Sequence, residues 1–242
     1  MIDLHNHLLP GLDDGARNMD EALAMARQAV DDGITHMVCT PHIRPGRYDN
    51  HPEGIHAGLA DFRAALDDAG IPLQVAAAAE MHFGLEIMTQ AQSGELPWLG
   101  WWQGKPVLLL EFPHSYLPVG AERLTEWLVD RGYLPMIAHP ERNRDFVNDL
   151  NRLEPFLDQG CLTQVTASAL TGQFGERVQA CAESLVDAGD VSCLASDAHN
   201  PANRPPGLSR AAAVVARRVG PERAQALTRD NPWQVAAGHF SN

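Results

Sequence analysis

Two histidines, His5 and His7, lie two positions apart at the start of the chain, in the stretch MIDLHNH. The alternation of apolar residues around them is typical of a β-strand, in which residues i and i+2 point to the same face. Two imidazoles on one face could bind a metal ion or transfer protons. A lone pair of this kind is more often structural, so its meaning depends on the side chains that join it.

Acidic and imidazole side chains recur at the carboxyl ends of later predicted strands, and Asp14 follows the first strand in a loop. The strand-end residues are His42, Glu80, Glu111, His139, Asp197 and His199. Only the sixth predicted strand departs from the pattern, because it ends in Thr166 and Ser168. In a parallel barrel these ends meet at one mouth. We therefore expect nine side chains to converge there, the seven above with His5 and His7.

Nine such groups packed together would repel one another and lose hydration unless cations neutralise them. Nine donor side chains are more than one or two ions of ordinary coordination number would bind, and they suit three ions. Four carboxylates carry about −4, which three divalent ions would convert to about +2, an attractive charge for an anion. Nitrogen and oxygen donors without thiolate suit manganese, ferrous iron or zinc, and they disfavour magnesium or calcium alone.

Strand and helix patterns alternate along the whole chain, which would place these residues on one scaffold. The strand patterns are apolar runs, as in a parallel sheet covered on both faces; they are MIDLHNH, ITHMVCT, LQVAAAA, PVLLLEF, LPMIA, LTQVTA and VSCLAS. No linker or low-complexity segment interrupts them. The pattern predicts a single barrel-like α/β domain over residues 1–242, with a doubly wound open sheet as the alternative. No GxGxxG or P-loop motif follows a strand, which disfavours nucleotide-binding versions of the second.

Composition narrows the class of protein. The chain has 242 residues and a net charge of −13, which disfavours general nucleic-acid binding because phosphate backbones are repelled. No run approaches the roughly 18 apolar residues of a membrane helix, and no signal peptide is evident. The four cysteines have no paired spacing. We therefore expect a cytoplasmic protein without membrane insertion or disulfides.

Several motifs together resemble the polymerase-and-histidinol-phosphatase (PHP) superfamily: the HxH start, DDG, TPH, AAE, EF, AHPER and SDAHN. More narrowly, MIDLHNHLLPGLDDG, HPERN and SDAHNPANRPP resemble the manganese-dependent protein-tyrosine phosphatases of bacterial capsule and exopolysaccharide operons. The resemblance runs from residue 2 to about residue 206. It implies a distorted (β/α)7, TIM-like barrel of the PHP fold that holds three metal ions. It also implies that the nine residues reached above by position are the metal ligands.

The resemblance further implies that Arg142 and Arg204 are catalytic residues that bind phosphate, since guanidinium groups match phosphate oxygens bidentately. Arg44, Arg47 and Arg144 are weaker candidates. His82, in EMHFG, could support Glu80 or donate a proton, although a loop histidine is the simpler interpretation.

The implied activity is hydrolysis of phosphotyrosine on a protein, with a bacterial tyrosine kinase of polysaccharide synthesis as the expected partner. A metal-bound hydroxide would attack phosphorus, without a phosphocysteine, because no cysteine is followed six positions later by arginine. Alternatives are a phosphatase of histidinol phosphate or another small phosphomonoester, and a non-catalytic metal-binding regulator. An amidohydrolase is disfavoured because the only lysine, Lys105, begins the fourth predicted strand instead of ending it.

Overall fold

The computed structural model describes residues 1–240, in which strands and helices alternate as the sequence predicts. The strands are β1 (Ile2–Asp3), β2 (His36–Cys39), β3 (His42–Ile43), β4 (Gln74–Ala77), β5 (Glu80–His82), β6 (Gly100–Trp102), β7 (Lys105–Glu111), β8 (Leu134–Ala138), β9 (Leu162–Thr166) and β10 (Cys193–Ala195). The helices are α1 (Met19–Asp31), α2 (Pro52–Asp68), α3 (Glu86–Ser93), α4 (Ala121–Val129), α5 (Arg144–Asn148), α6 (Glu154–Asp158), α7 (Glu176–Ala188), α8 (Ser209–Val219), α9 (Pro221–Gln225) and α10 (Asn231–Phe240).

The fold is mixed α/β with mostly parallel sheet. One sheet has the order β1-β2-β4 and the other β10-β9-β8-β7-β5-β3, and every pair along these paths is parallel. Strand β6 pairs with β7 in the antiparallel direction, a hairpin that the sequence patterns did not predict. The carboxyl ends of the parallel strands therefore share one polarity.

Main-chain hydrogen bonds continue the pairing across the gaps between the two sheets. The Ala78 amide donates to the Cys39 carbonyl over 2.8 Å, so β2 and β3, and β4 and β5, act as two interrupted strands. On the other side, an isolated parallel bridge joins Asn6 to Ala198, and the His7 amide donates to the Ala198 carbonyl over 2.9 Å. The segment after β1 is thereby held beside the segment after β10.

Alternate residues of the strands pack into two different apolar cores, as expected for strands covered on both faces. Leu108 and Leu110 of β7 pack in the larger core with helix residues, whereas Val107 and Leu109 pack in a smaller core with residues of the other strands and of α10. Both faces of β7 are therefore buried. Within residues 1–240, we find no helix with the length and apolar character needed to cross a bilayer.

Local sequence explains how the first helix begins. The Asn18 side chain caps α1 by accepting a hydrogen bond from the Glu21 amide over 3.0 Å, as in one half of a capping box. The Glu21 carboxylate, however, binds the Arg17 amide over 3.0 Å instead of the Asn18 amide. The turn that leads from β1 and its DDG loop into α1 is thus fixed by side chains.

Candidate metal centre and active site

The nine predicted metal-ligating side chains lie together at the carboxyl ends of the strands. Seven of them line one cavity of about 150 Å³, together with four arginines, Tyr48 and His114; the seven are Asp14, His42, Glu80, Glu111, His139, Asp197 and His199. His5 and His7 are fully buried and contact the side chains of Glu80 and Asp197. The expectation of a single convergent cluster therefore agrees with the geometry.

Glu80 is the centre of this cluster. Its Oε2 lies 3.3 Å from His5 Nε2, 3.5 Å from His7 Nε2 and 2.8 Å from His42 Nδ1, and its Oε1 lies 3.0 Å from His139 Nε2. The side chain is completely buried. One carboxylate thus faces four imidazoles that come from three strand segments, because His5 and His7 share the segment after β1.

One carboxylate oxygen of Asp197 faces the histidines of the cluster, and the other oxygen faces two arginines. Oδ1 lies 3.5 Å from His5 Nε2 and 3.4 Å from His7 Nε2. Oδ2 accepts hydrogen bonds from Arg142 and, over 2.6 Å, from Arg204. The two oxygens of one side chain therefore connect the histidine cluster to the guanidinium groups.

The main chain is strained at two of these positions. His139 has φ of 34° and Asp197 has φ of 51°, values in the left-handed region that residues with a Cβ rarely adopt. His139 follows directly after the buried strand β8, and Asp197 lies two residues after the end of the buried strand β10. Strain of this kind persists only where the surrounding structure imposes it and is typical of functional sites.

The remaining predicted ligands form the outer part of the cluster. Asp14 Oδ1 lies 3.4 Å from His42 Nε2 and 3.6 Å from His199 Nε2. Glu111 Oε2 lies 3.8 Å from His42 Nδ1. Asp14 is half-exposed, whereas the other members are buried or nearly so. This side of the cluster is therefore the one that faces solvent.

The donor set fits divalent cations. Five overlapping groups of three or four His, Asp or Glu side chains have ligand atoms within 4.8 Å of one another, and all nine predicted residues belong to at least one of these groups. Two buried atoms, Glu80 Oε2 and His42 Nδ1, have no hydrogen-bond partner in the described residues although they lie 2.8 Å apart. Buried polar atoms without partners are costly. A cation between such donors would remove that cost.

Burial and neighbouring charges shift the pKa values of these groups in opposite directions. Burial alone would lower the pKa of His42, but the carboxylates of Glu80 and Asp14 raise it to about 12. Burial also opposes protonation of His7, yet Asp13 raises its pKa to about 9. Burial and the nearby His7 lower the pKa of His199 to about 3. Imidazoles this different in basicity within one cluster show how strongly its members interact.

Two hydrogen-bond acceptors that sequence reasoning missed orient the first histidines. Asp13 Oδ2 lies 2.6 Å from His7 Nδ1 and also accepts from the His42 amide over 2.9 Å. Gln164 Oε1 lies 2.7 Å from His5 Nδ1. Such contacts fix the ring orientation and leave Nε2 facing the cluster. Asp13 could have been suspected as the first acid of DDG, but Gln164 gives no signal within its strand.

Two further histidines support Glu111. His82 lies in β5 and not in a loop, which was the simpler interpretation of the sequence. Its Nδ1 is 2.9 Å from Glu111 Oε2, so it supports Glu111. His114 Nδ1 lies 3.8 Å from Glu111 Oε1, and its ring packs against His139 at 5.0 Å between centroids. Burial and the nearby His139 lower the pKa of His114 to about 4. The sequence alone gave no reason to select His114.

Gly15 is required by close packing of the DDG loop on the HxH strand. A Cβ on Gly15 would lie 2.1 Å from the His7 carbonyl oxygen, far inside contact distance. The Gly15 amide donates to Asp13 Oδ1 over 2.9 Å. The glycine therefore lets the loop come close enough for Asp13 to reach His7.

Four of the five candidate arginines line the cavity, and two of these four bind Asp197. Arg142 and Arg204 line the cavity and bind Asp197, and the Arg142 guanidinium also lies over the Phe174 ring at 4.6 Å. Arg44 and Arg47 line the cavity as well. Arg144 is not among the lining residues of this cavity.

The four cysteines lie outside the cavity and are buried. Burial raises the pKa of Cys161 and of Cys181 to about 12, and it raises the pKa values of Cys39 and Cys193 as well. A buried thiol of raised pKa is a poor nucleophile.

Comparison with known proteins shows which family this chain resembles. The family model described as capsular polysaccharide synthesis, CpsB/CapC, matches residues 1–237. The tyrosine-protein phosphatase YwqE of Bacillus subtilis is 34% identical over 95% of this chain and 89% of its own length. The tyrosine-protein phosphatase CpsB of Streptococcus pneumoniae is 28% identical over 97% of this chain and 98% of its own. A crystal structure from a study of YwqE and CpsB, described as metal-dependent tyrosine phosphatases, superposes with a TM-score of 0.89 at 33% identity, covering 97% of this chain and 94% of the other.

Proposed function

Because this chain belongs to the CpsB/CapC family of capsular polysaccharide synthesis, we propose that it is a metal-dependent protein-tyrosine phosphatase. The relatives YwqE and CpsB are tyrosine-protein phosphatases, and this chain aligns with nearly the whole length of each. The observation that carries the proposal is the cluster around Glu80, which lies beside two arginines. When β2 with β3 and β4 with β5 are each counted as one interrupted strand, every parallel strand except β9 contributes an imidazole or a carboxylate to it.

The proposed metal ligands are the nine clustered residues: His5, His7, Asp14, His42, Glu80, Glu111, His139, Asp197 and His199. The number of donors supports three ions, and nitrogen and oxygen donors without thiolate support manganese, with ferrous iron or zinc as alternatives. When bound, divalent ions supply Lewis-acid stabilisation of the phosphoryl group and lower the pKa of water towards ~7.

The side chains of this protein have distinct tasks in the proposed hydrolysis. Asp13 and Gln164 hold His7 and His5 in one orientation, and His82 holds Glu111. Positioned groups of this kind reduce the reorganisation that the reaction would otherwise require.

Arg142 and Arg204 bind the phosphoryl oxygens in this proposal. Asp197 Oδ2 takes only part of their hydrogen-bonding capacity, since each guanidinium has five N–H donors. Their positive charge offsets the negative charge that spreads over the phosphoryl oxygens as the bond to the leaving group breaks. The phenol of tyrosine, with a pKa near 10, leaves more readily than an alkoxide.

Water, and not a cysteine, is the nucleophile in this proposal. All four thiols are buried away from the cavity, and burial raises their pKa values. A phosphocysteine intermediate would need an ionised thiol next to the arginines.

We further propose that residues 1–242 form one domain whose seven parallel strand segments close into a distorted (β/α)7 barrel of the PHP type. The bridge between Asn6 and Ala198 supports closure, because it joins the first and last segments of the order.

The family description supports a phosphotyrosine protein of polysaccharide synthesis as substrate, and we propose a bacterial tyrosine kinase in that role. Four unpaired thiols favour the reducing cytoplasm as the site of action.

An activity screen on metal-loaded protein tests the proposal. The substrates are a phosphotyrosine peptide, the same peptide with phosphoserine, and histidinol phosphate, each with and without a chelator. We expect the phosphotyrosine peptide to have the highest kcat/KM and the chelator to abolish its hydrolysis. A preference for histidinol phosphate would reassign the substrate, and chelator-resistant turnover would refute the metal dependence.

A further inference from the structure

Two arginines of the cavity have no anionic partner. Arg44 and Arg47 line it, yet neither guanidinium takes part in any ion pair or side-chain hydrogen bond among residues 1–240. Arg142 and Arg204, by contrast, are bound to Asp197. The chain has 31 acidic residues against 18 basic ones, so cations that remain unpaired beside an acidic cluster are available for an anion from outside.

The main chain that carries these arginines is fixed. The Arg44 amide donates to the Tyr48 carbonyl over 3.0 Å, and the Tyr48 amide donates to the Arg44 carbonyl over 2.8 Å. The Asn50 side chain ties the end of this hairpin to the His42 carbonyl over 2.8 Å. We call residues 44–48 the arginine hairpin. Because it is braced, binding to its side chains costs little backbone ordering.

Tyr48 connects the arginine hairpin to the metal centre. Its ring stacks on the His42 ring with centroids 5.4 Å apart and planes inclined by 8°. The Arg47 guanidinium lies over the Tyr48 ring at 5.1 Å. The position of Arg47 relative to the proposed metal ligands is therefore set by stacked planar groups.

The four arginines lie at different depths. The side chains of Arg142 and Arg204 are 12% and 24% exposed, Arg44 is half-buried and Arg47 is exposed. A phosphotyrosine whose phosphate reaches the inner pair leaves its main chain at the mouth of the cavity. The residues that flank it then meet the outer pair.

We infer that the arginine hairpin binds a second anionic group next to the phosphotyrosine, so that the substrates are acidic phosphotyrosine segments. This inference rests on the proposed function. The anion is a carboxylate or a phosphate on one of the adjacent residues, since a guanidinium group binds both bidentately. Because Arg47 is exposed, the preference weakens as salt concentration rises.

Steady-state kinetics on metal-loaded protein tests the inference with three phosphotyrosine peptides that differ only in the residues flanking the phosphotyrosine. These are alanine, glutamate or phosphoserine, and the last two distinguish carboxylate from phosphate. The variants are Arg44→Gln combined with Arg47→Gln, and the control Arg217→Gln, which removes an exposed arginine of α8 outside the cavity. Fluorescence anisotropy with a non-hydrolysable phosphonate analogue of each peptide measures binding separately from turnover.

We expect the wild-type protein to prefer an anionic flank over alanine by about tenfold in kcat/KM, mostly through KM, because two partly exposed ion pairs contribute about that much. The double variant should reduce the preference to about twofold, with the same change in anisotropy, and Arg217→Gln should keep it. Equal hydrolysis of all three peptides by the wild-type protein, or an undiminished preference in the double variant, would overturn the inference alone. If the wild-type protein hydrolyses none of them, the proposed function falls and the inference with it.

Discussion

At the scale of single residues, the candidate site is a balance of buried charges. Glu80 is fully buried and faces four imidazoles. Burial would raise its pKa, but His5 and His42 hold that pKa well below its usual range. A buried carboxylate that stays ionised needs partners on every side. Removing one member should therefore affect the whole cluster.

His139→Ala should reduce the bound metal by about one ion per chain and lower kcat by roughly a hundredfold or more, because His139 contributes an Nε2 atom 3.0 Å from Glu80. Elemental analysis and phosphatase kinetics measure the two effects. His56→Ala on the exposed face of α2 is the control and should change neither quantity. Full metal content in the His139 variant would remove this residue from the ligand set.

The buried thiols should be inert. Because burial raises the pKa of Cys161 and of Cys181 to about 12, both remain protonated at pH 8, and the thiolate that reacts with alkylating agents is scarce. Native protein treated with iodoacetamide at pH 8 should keep its turnover, and mass spectrometry should show little modification until denaturant is added. Loss of turnover in proportion to alkylation of folded protein would contradict this.

At the scale of elements, hydrogen bonds between loops set the shape of the mouth. Asn143 is buried, caps α5 by accepting from the Asp145 amide over 2.9 Å, and donates to the Pro113 and Tyr116 carbonyls over 2.7 and 3.0 Å. One side chain thus joins the loop after β8, which carries Arg142, to the loop after β7, which carries His114. Its role is to hold two parts of the mouth at a constant distance.

Asn143→Ala should lower the free energy of unfolding by about 2–3 kcal/mol, because it removes a helix cap and both hydrogen bonds to the Pro113 and Tyr116 carbonyls. It should also lower kcat/KM as the two loops separate. Urea unfolding monitored by circular dichroism gives the first quantity. Asn18→Ala, which removes the cap of α1 only, should cost about 1 kcal/mol. An Asn143 variant no less stable than the Asn18 variant would show that the contacts between the loops contribute nothing.

At the scale of the whole molecule, the cluster brings residues from His5 to His199 together around one centre. The segments after β1 and β10 meet at the bridge between Asn6 and Ala198, and both carry proposed metal ligands. An ion held between them would therefore connect the two ends of the strand order. Ligands that bind only the folded state stabilise it.

Removal of metal should lower the unfolding temperature by several degrees, since the unfolded chain cannot bring together donors from distant strands. Differential scanning calorimetry before and after dialysis against a chelator measures the change, and added Mn²⁺ should restore the original value. Magnesium serves as the control, because nitrogen donors suit it poorly. Equal unfolding temperatures for the stripped and loaded protein would argue against ions within the cluster.

The sequence by itself determined the alternation of strands and helices, and it also indicated the residues of the cluster. Apolar runs fix strands that are buried on both faces, and it is the recurrence of His, Asp and Glu at the ends of several such runs that indicates a functional role. The polarity of parallel strands then brings these ends to one edge. His5, Glu80 and Asp197 could therefore be selected without coordinates, because their signal is local and repeats from strand to strand.

Only the tertiary structure decided which side chains support the cluster and which are free. Asp13, Gln164 and His114 act through contacts with residues that are distant in the chain or through one particular loop conformation, and apart from the position of Asp13 in DDG nothing in their local sequence distinguishes them. Likewise, any arginine near a motif resembles any other until its partners are known. Arg204 is bound to Asp197 whereas Arg47 has no anionic partner among residues 1–240. Ion pairing depends on distances in space, which the order of residues along the chain does not specify.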